Sequence, residues 1–262
     1  MSYRYCIGHT MTCCPDGSHP GGDPYPGYSW KDKGIIEKVG DMDVYRVGNS
    51  RRCIVWCYDI YGFKGGRTRE LCDKLSDKGY MVLLPDFFRG ESRGLEDEDL
   101  ISWVVTQSDW VGQRQFEWVE NLLPYARSKG AEVFGAVGTC WGAYLVTKLS
   151  SYAEFKAGAC FHPALTLVTE LALQQNLYEL LDEVQCPQLL ITAGNDHDNE
   201  KKGGLANKVW GVMKFGIHCE YKEYKNMLHG WMVRGDMRNE SISTDAKAAF
   251  NLLVSFLATN LK

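Results

Sequence analysis

Val133-Phe134-Gly135-Ala136-Val137-Gly138-Thr139-Cys140-Trp141-Gly142-Ala143-Tyr144-Leu145-Val146 decides how the rest of the chain is read. Val133 to Val137 is a short apolar run of strand type, and Tyr144 to Ser150 begins a helical pattern. Between them, Gly138-Thr139-Cys140-Trp141-Gly142 has the spacing of a strand-to-helix elbow that presents a nucleophile, with cysteine where serine is commoner. The two glycines have a steric role: the backbone passes close on both sides of the strained turn, and a Cβ at 138 or 142 would clash. A helix that starts here aims its N-terminal N–H groups at Sγ, which favours a thiolate and an oxyanion. Five residues also match a Gly-rich turn with an incidental buried cysteine, so the partners must come from elsewhere.

Working outward, apolar runs alternate with helical patterns. Strands are predicted at Ile35 to Val39, Asp43 to Val47, Cys53 to Tyr58, Tyr80 to Leu84, Lys156 to Phe161, Gln188 to Ala193 and Cys219 to Tyr224. Helical segments are predicted over Arg67 to Lys78, Asp109 to Lys129 with a bend at Pro124, Thr169 to Asp182, Ala206 to Lys214 and Thr244 to Asn260. This alternation implies an α/β class, a mostly parallel sheet with helices on both faces. Residues 1–30 are irregular, with Pro20-Gly21-Gly22-Asp23-Pro24 as a breaker cluster, and read as an arm laid over one domain that spans 31–262.

Two later loops supply the partners. Gln188 to Ala193 runs into Gly194-Asn195-Asp196-His197-Asp198, and Cys219 to Tyr224 runs into Met227-Leu228-His229-Gly230-Trp231. In α/β-hydrolases the order is nucleophile, acid, histidine, each after a later strand, and Cys140, Asp196 and His229 follow it. His229 would take the thiol proton and Asp196 would fix its tautomer. Asp198 competes for the acid role; Asp196 is preferred because it lies nearer the strand end. His9, His19, His162, His197 and His218 lack such a context and default to surface or structural roles.

The 262 residues carry 29 Lys and Arg against 33 Asp and Glu, a net charge of −4. This excess of acid, without a basic run, argues against nucleic-acid binding. No stretch approaches membrane-spanning length, and the N-terminus lacks an apolar signal core. Ten cysteines invite a disulfide framework, but that pattern belongs to short secreted chains. Here several lie inside apolar runs, where a reduced thiol behaves as a small hydrophobe. A reducing, cytoplasmic location is expected. A zinc site from Cys6, His9, Cys13 and Cys14 is conceivable, but its spacing is irregular, and the expectation is no metal and no cofactor.

With these residues in view the chain resembles the dienelactone hydrolase family over roughly 35–260, and the resemblance implies the α/β-hydrolase fold. Asp59-Ile60-Tyr61-Gly62, Gly79-Tyr80 with Val82-Leu83-Leu84-Pro85-Asp86-Phe87-Phe88-Arg89-Gly90, and His229-Gly230-Trp231-Met232-Val233-Arg234 are similar to its segments beyond the elbow. The resemblance implies the backbone N–H groups of Trp141 and Ile60 as oxyanion donors. It also implies an acidic residue that poises the thiol, here Asp59, one methylene shorter than the family's Glu. Arg89 and Arg234 match positions that bind a substrate carboxylate. Cys13-Cys14-Pro15 resembles a segment in the arm of some eukaryotic members.

The implied activity is hydrolysis of a lactone or activated ester, a small-molecule substrate, by Cys140, His229 and Asp196 through a thioester, in a monomer or homodimer. A glutamine-amidotransferase-like reading requires an acid two residues after the histidine, where this chain has Trp231. A third reading is a catalytically silent relic that binds a ligand or a partner. The physiological substrate depends on loops such as Gly90 to Ser108, which local pattern does not determine.

Overall fold

A computed structural model describes residues 14–262. Of the conceivable arm zinc ligands, Cys6, His9 and Cys13 lie outside the described residues.

Eight strands form one sheet in the order β1-β2-β4-β3-β5-β6-β7-β8. They are β1 (Ile35–Val39), β2 (Met42–Val47), β3 (Arg52–Cys57), β4 (Met81–Pro85), β5 (Val133–Cys140), β6 (Phe155–Pro163), β7 (Gln188–Ala193) and β8 (Glu220–Tyr224). β1 and β2 are antiparallel, β2 pairs antiparallel with β4, and every pairing from β4 to β8 is parallel. All eight predicted strands are present. The central ones read as unbroken apolar runs because both faces are covered: every residue of β4 is buried, and in β3 every residue after Arg52. At the edge, β8 carries three charged residues among its five, Glu220-Tyr221-Lys222-Glu223-Tyr224, which blunts pairing with another chain.

The helices are α1 (Thr68–Ser76), α2 (Leu100–Gln107), α3 (Leu123–Ser128), α4 (Gly142–Leu149), α5 (Leu177–Asp182), α6 (Leu205–Gly211), α7 (Trp231–Arg234) and α8 (Glu240–Asn260). Three differ from expectation for local reasons. The segment predicted over 109–129 is helical but not regular: Trp110–Arg114 and Glu117–Leu122 wind as wide π-type turns before α3. Pro124 falls just after the second π-type stretch, and the chain stays helical through it, so the irregular winding precedes the proline and the helix is not broken there. The segment predicted over 169–182 divides in two, because Gln174 adopts φ +54 and the Asn176 side chain then caps α5 by accepting from the Tyr178 N–H at 2.9 Å. α8 starts four residues early because Asn239 caps it, accepting from the N–H groups of Ser241 and Ile242.

Residues 14–34 contain no helix or strand. They are nevertheless held by α1: Trp30 Nε1 donates to Asp73 at 2.6 Å and the Tyr28 hydroxyl to Glu70 at 2.9 Å.

Candidate active site

Cys140 is the last residue of β5 and has φ +53, a left-handed backbone that costs energy for any residue with a Cβ. The glycine pair permits this turn. A Cβ on Gly138 would come within 2.7 Å of the Gly142 carbonyl oxygen, and one on Gly142 would collide with the Cys57 carbonyl of the neighbouring strand. α4 therefore begins at Gly142, one residue beyond the turn at Cys140, and its first-turn N–H groups have no partner within the helix.

His229 and Asp196 reach the same end of the sheet from the turns after β8 and β7, the carboxyl edge where open α/β sheets place their sites. Asp196 Oδ1 lies 2.6 Å from His229 Nδ1, while Oδ2 accepts the Ala193 N–H at 2.6 Å. The Asn195 side chain accepts the backbone N–H of His229 at 2.7 Å. Of the two candidate acids, Asp196 is thus the one that touches the histidine. Asp198 stands with its side chain 95% exposed and pairs with Lys201 at 3.2 Å.

Burial works against charge on His229, but the neighbouring charges of Cys140 and Asp196 outweigh it and push its pKa up to about 10. Burial, assisted by the charge of Asp196, pushes the carboxyl of Glu200 up to about 8 against the Thr166 N–H that donates to it at 2.7 Å. His162, at the end of β6, lies edge-on to His229 with ring centroids 4.9 Å apart. Burial and the charge on His229 hold it well below its ordinary value, so it is a neutral aromatic wall.

Asp59 and Arg234 form a buried ion pair, and the other Asp59 oxygen accepts the Tyr61 N–H at 3.0 Å. Arg234 also lies over the Tyr61 ring, 4.5 Å from its centroid. Arg89 has different company: its guanidinium pairs with Glu117 at 2.6 Å and Asp41 at 2.8 Å. Ile60 and Trp141 are both fully buried. The indole of Trp141 packs on Phe88 at 4.6 Å and donates to Ser108 at 2.8 Å, and Arg93 donates its N–H to the Ile60 carbonyl at 2.9 Å.

The arm closes over this cluster. Cys14 Sγ is 3.3 Å from Cys140 Sγ, and a ring nitrogen of His229 lies with both sulfurs inside a 4.8 Å group. The arm is pinned by the His19 N–H donating to the His229 carbonyl at 2.8 Å, by Asn195 donating to the Asp16 carbonyl at 3.1 Å, and by Arg234 donating to the His19 carbonyl at 3.3 Å. Cys140 and His229 are 0% exposed and Cys14 is 1% exposed.

Sequence reasoning assigned no place here to Cys14, His162 or Glu200. His162 and Glu200 are both buried, His162 in keeping with the structural half of its surface-or-structural default. The Cys13-Cys14-Pro15 doublet was a signal for the first; nothing in the local pattern marked the other two.

The sequence model described as the dienelactone hydrolase family matches residues 43–261. The chain belongs to the dienelactone hydrolase family. This places it among hydrolases of the ester and lactone type. It is 28% identical over 204 residues to a carboxymethylenebutenolidase homolog of Xenopus tropicalis, covering 75% of each chain. It is 23% identical over 267 residues to the hydrolase tropI of Talaromyces stipitatus, covering 97% of each. Among solved structures, a putative dienelactone hydrolase from Klebsiella pneumoniae superposes with a TM-score of 0.60 at 17% identity, over 83% of this chain and 92% of that one. Pyrococcus horikoshii acylaminoacyl peptidase superposes with a TM-score of 0.61 at 18% identity over 90% of this chain, which spans only 42% of the peptidase. Both likenesses are of fold. No helix among the described residues is long and apolar enough to cross a membrane.

Proposed function

We propose that this family member hydrolyses a lactone or activated ester with Cys140 as nucleophile, His229 as general acid and base, and Asp196 as the group that orients His229. The reading rests on one observation above others: the 2.6 Å Asp196–His229 contact, on a ring grouped within 4.8 Å of the Cys140 sulfur.

The Cys140 thiolate adds to the carbonyl carbon, and the oxyanion is held by the backbone N–H groups of Trp141 and Ile60. The carbon–oxygen bond to the leaving group then breaks, His229 protonates the departing oxygen, and a thioester remains on Cys140. Water adds to that thioester while His229 accepts one of its protons, the carbon–sulfur bond breaks to restore the Cys140 thiolate beside protonated His229, and the product acid departs and gives its remaining proton to solvent. The pKa of His229, near 10, supports a thiolate–imidazolium pair at neutral pH, so the nucleophile does not wait for a base. Thiolate is a better leaving group than alkoxide, which suits lactones and enol esters over amides.

Arg234 is the residue best suited to a substrate carboxylate, since its charge is buried beside Cys140 and its ion-pair partner is the single carboxylate of Asp59. Arg89 is already neutralised by Asp41 and Glu117. Asp59 acts through Arg234, and an arriving anion would compete with it. A reducing cytoplasmic setting fits the buried thiols, and the proposed working form is a monomer or homodimer that needs no cofactor.

The test is Cys140→Ala assayed on a dienelactone and an aryl ester. A fall of roughly 10³-fold or more in kcat is expected. Rapid-quench mass spectrometry of the unmodified enzyme should find the acyl mass on Cys140. Turnover by Cys140→Ala close to that of the unmodified enzyme ends the proposal.

A further inference from the structure

We propose that Cys14, Cys140 and His229 together form a binding site for a zinc-class cation, a metal lock on the nucleophile supplied jointly by the arm and the hydrolase domain. The two sulfurs are 3.3 Å apart and all three ligand atoms fall within 4.8 Å of one another. A tetrahedral ion with metal–sulfur bonds of about 2.3 Å and metal–nitrogen bonds of about 2.0–2.1 Å spaces its ligand atoms roughly 3.5–3.8 Å apart. The sulfurs need to separate by only about half an ångström to accept it.

The donor chemistry selects the metal. Two thiolates and an imidazole are soft to borderline ligands that suit zinc and reject magnesium and calcium. Asp196 supplies the outer shell: its carboxylate already holds His229 Nδ1 at 2.6 Å, the arrangement that fixes a metal-binding ring and raises its basicity. Two thiolate charges balance the dication, and burial strengthens that attraction by lowering the local dielectric. The buried Arg234 guanidinium opposes the dication but favours the thiolates that bind it. Binding expels two protons per metal, one from the Cys14 thiol and one shared between Cys140 and His229. The fourth position is left to water. In the metal-bound protein the Cys140 lone pair and the His229 nitrogen are both occupied, so neither attacks or accepts a proton.

The experiment needs no substrate. The full chain, stripped with a chelator, is titrated with Zn²⁺ against a chromophoric zinc indicator, and with Co²⁺ while the thiolate-to-cobalt band in the near ultraviolet is followed. One equivalent per chain is expected, with that band present. Cys14→Ser, Cys14→Ala, Cys140→Ser and His229→Ala should each weaken binding by more than the roughly 10–100-fold that loss of an outer-shell partner costs, which is the range expected for Asp196→Asn. Cys219→Ser, a half-buried cysteine elsewhere, should leave affinity unchanged. The proposal is overturned if the unmodified chain binds no stoichiometric zinc. It is equally overturned if Cys14→Ser loses the metal while Cys140→Ser keeps it, because the ion then sits on the arm alone. A chain that binds zinc yet hydrolyses nothing overturns the hydrolase reading and leaves this site standing; a hydrolase indifferent to zinc does the reverse.

Discussion

The backbone N–H of His19 donates to the carbonyl of His229 at 2.8 Å, so the arm is fastened to the residue whose ring lies beside Cys140. Cys140 is 0% exposed beneath this arm, so a reagent is expected to reach its sulfur only once the arm lifts. Gly21 lies against the Tyr61 ring with no room for a Cβ. Gly21→Val should therefore loosen the arm by about 1–3 kcal/mol, a typical overpacking cost. At about 1.4 kcal/mol per decade, alkylation of Cys140 by iodoacetamide should quicken by roughly five- to a hundredfold. An unchanged rate, measured by peptide mass spectrometry, would show that the arm does not gate the thiol.

Asp196 and Asp198 are two residues apart and face different environments. Asp196→Asn keeps the shape but loses the charge that fixes the His229 tautomer, and kcat should fall by roughly 10³- to 10⁴-fold. Asp198→Asn, on an exposed side chain, should stay within about twofold of the unmodified enzyme. Steady-state assays of both variants on one aryl ester decide the matter; similar losses in the two would displace Asp196 from its role.

His229 should remain protonated until about pH 10, because the charges of Cys140 and Asp196 outweigh its burial. Cys140→Ser removes the first of those charges. Its imidazole should then titrate far lower, in the direction burial drives it. An imidazole nitrogen titration by NMR on both proteins reads this directly, and coincident curves would refute the ion pair.

Glu200 carries a carboxyl raised from an ordinary 4.5 to about 8. Below 4.5 folded and unfolded chains both hold the proton. Between about 4.5 and about 8 only the folded chain holds it, so this group's contribution to stability is lost as pH rises through that window. Glu200→Gln keeps an acceptor for the Thr166 N–H and cannot ionise. Urea midpoints should fall less steeply with pH across this window in Glu200→Gln than in the unmodified chain; parallel slopes would contradict the assignment.

Asp59 and Arg234 are buried together. Asp59→Ala strands a buried guanidinium and should cost about 3–5 kcal/mol, whereas the double variant Asp59→Leu with Arg234→Met should recover much of it. Chemical denaturation of the three proteins measures the difference. An Asp59→Ala chain as stable as the unmodified one would mean that Arg234 finds other compensation.

The sheet was legible in the sequence because its central strands are short apolar runs bounded by glycine and proline, and burial on both faces leaves no other use for such runs. The elbow was legible for a local steric reason: Gly138 and Gly142 bracket Cys140, and the structure leaves no space for a Cβ at either position. Helix interiors were less legible. The break before α5 depends on the left-handed Gln174 and on the Asn176 cap, which a periodic pattern over 169–182 conceals.

By itself the sequence determined the strand–helix alternation and the elbow, since both are written in neighbouring residues through sterics and periodicity, and it offered Cys140, Asp196 and His229 in the chain order that the proposed roles require. Only the tertiary structure decided that Asp196 rather than Asp198 meets His229, that Arg234 turns inward while Arg89 is neutralised elsewhere, and that Glu200 and His162 flank the site. It alone brought Cys14 to Cys140 across 126 residues. Such contacts are set by where packed loops and the arm converge at the sheet edge, and no short-range preference of the chain encodes that distance.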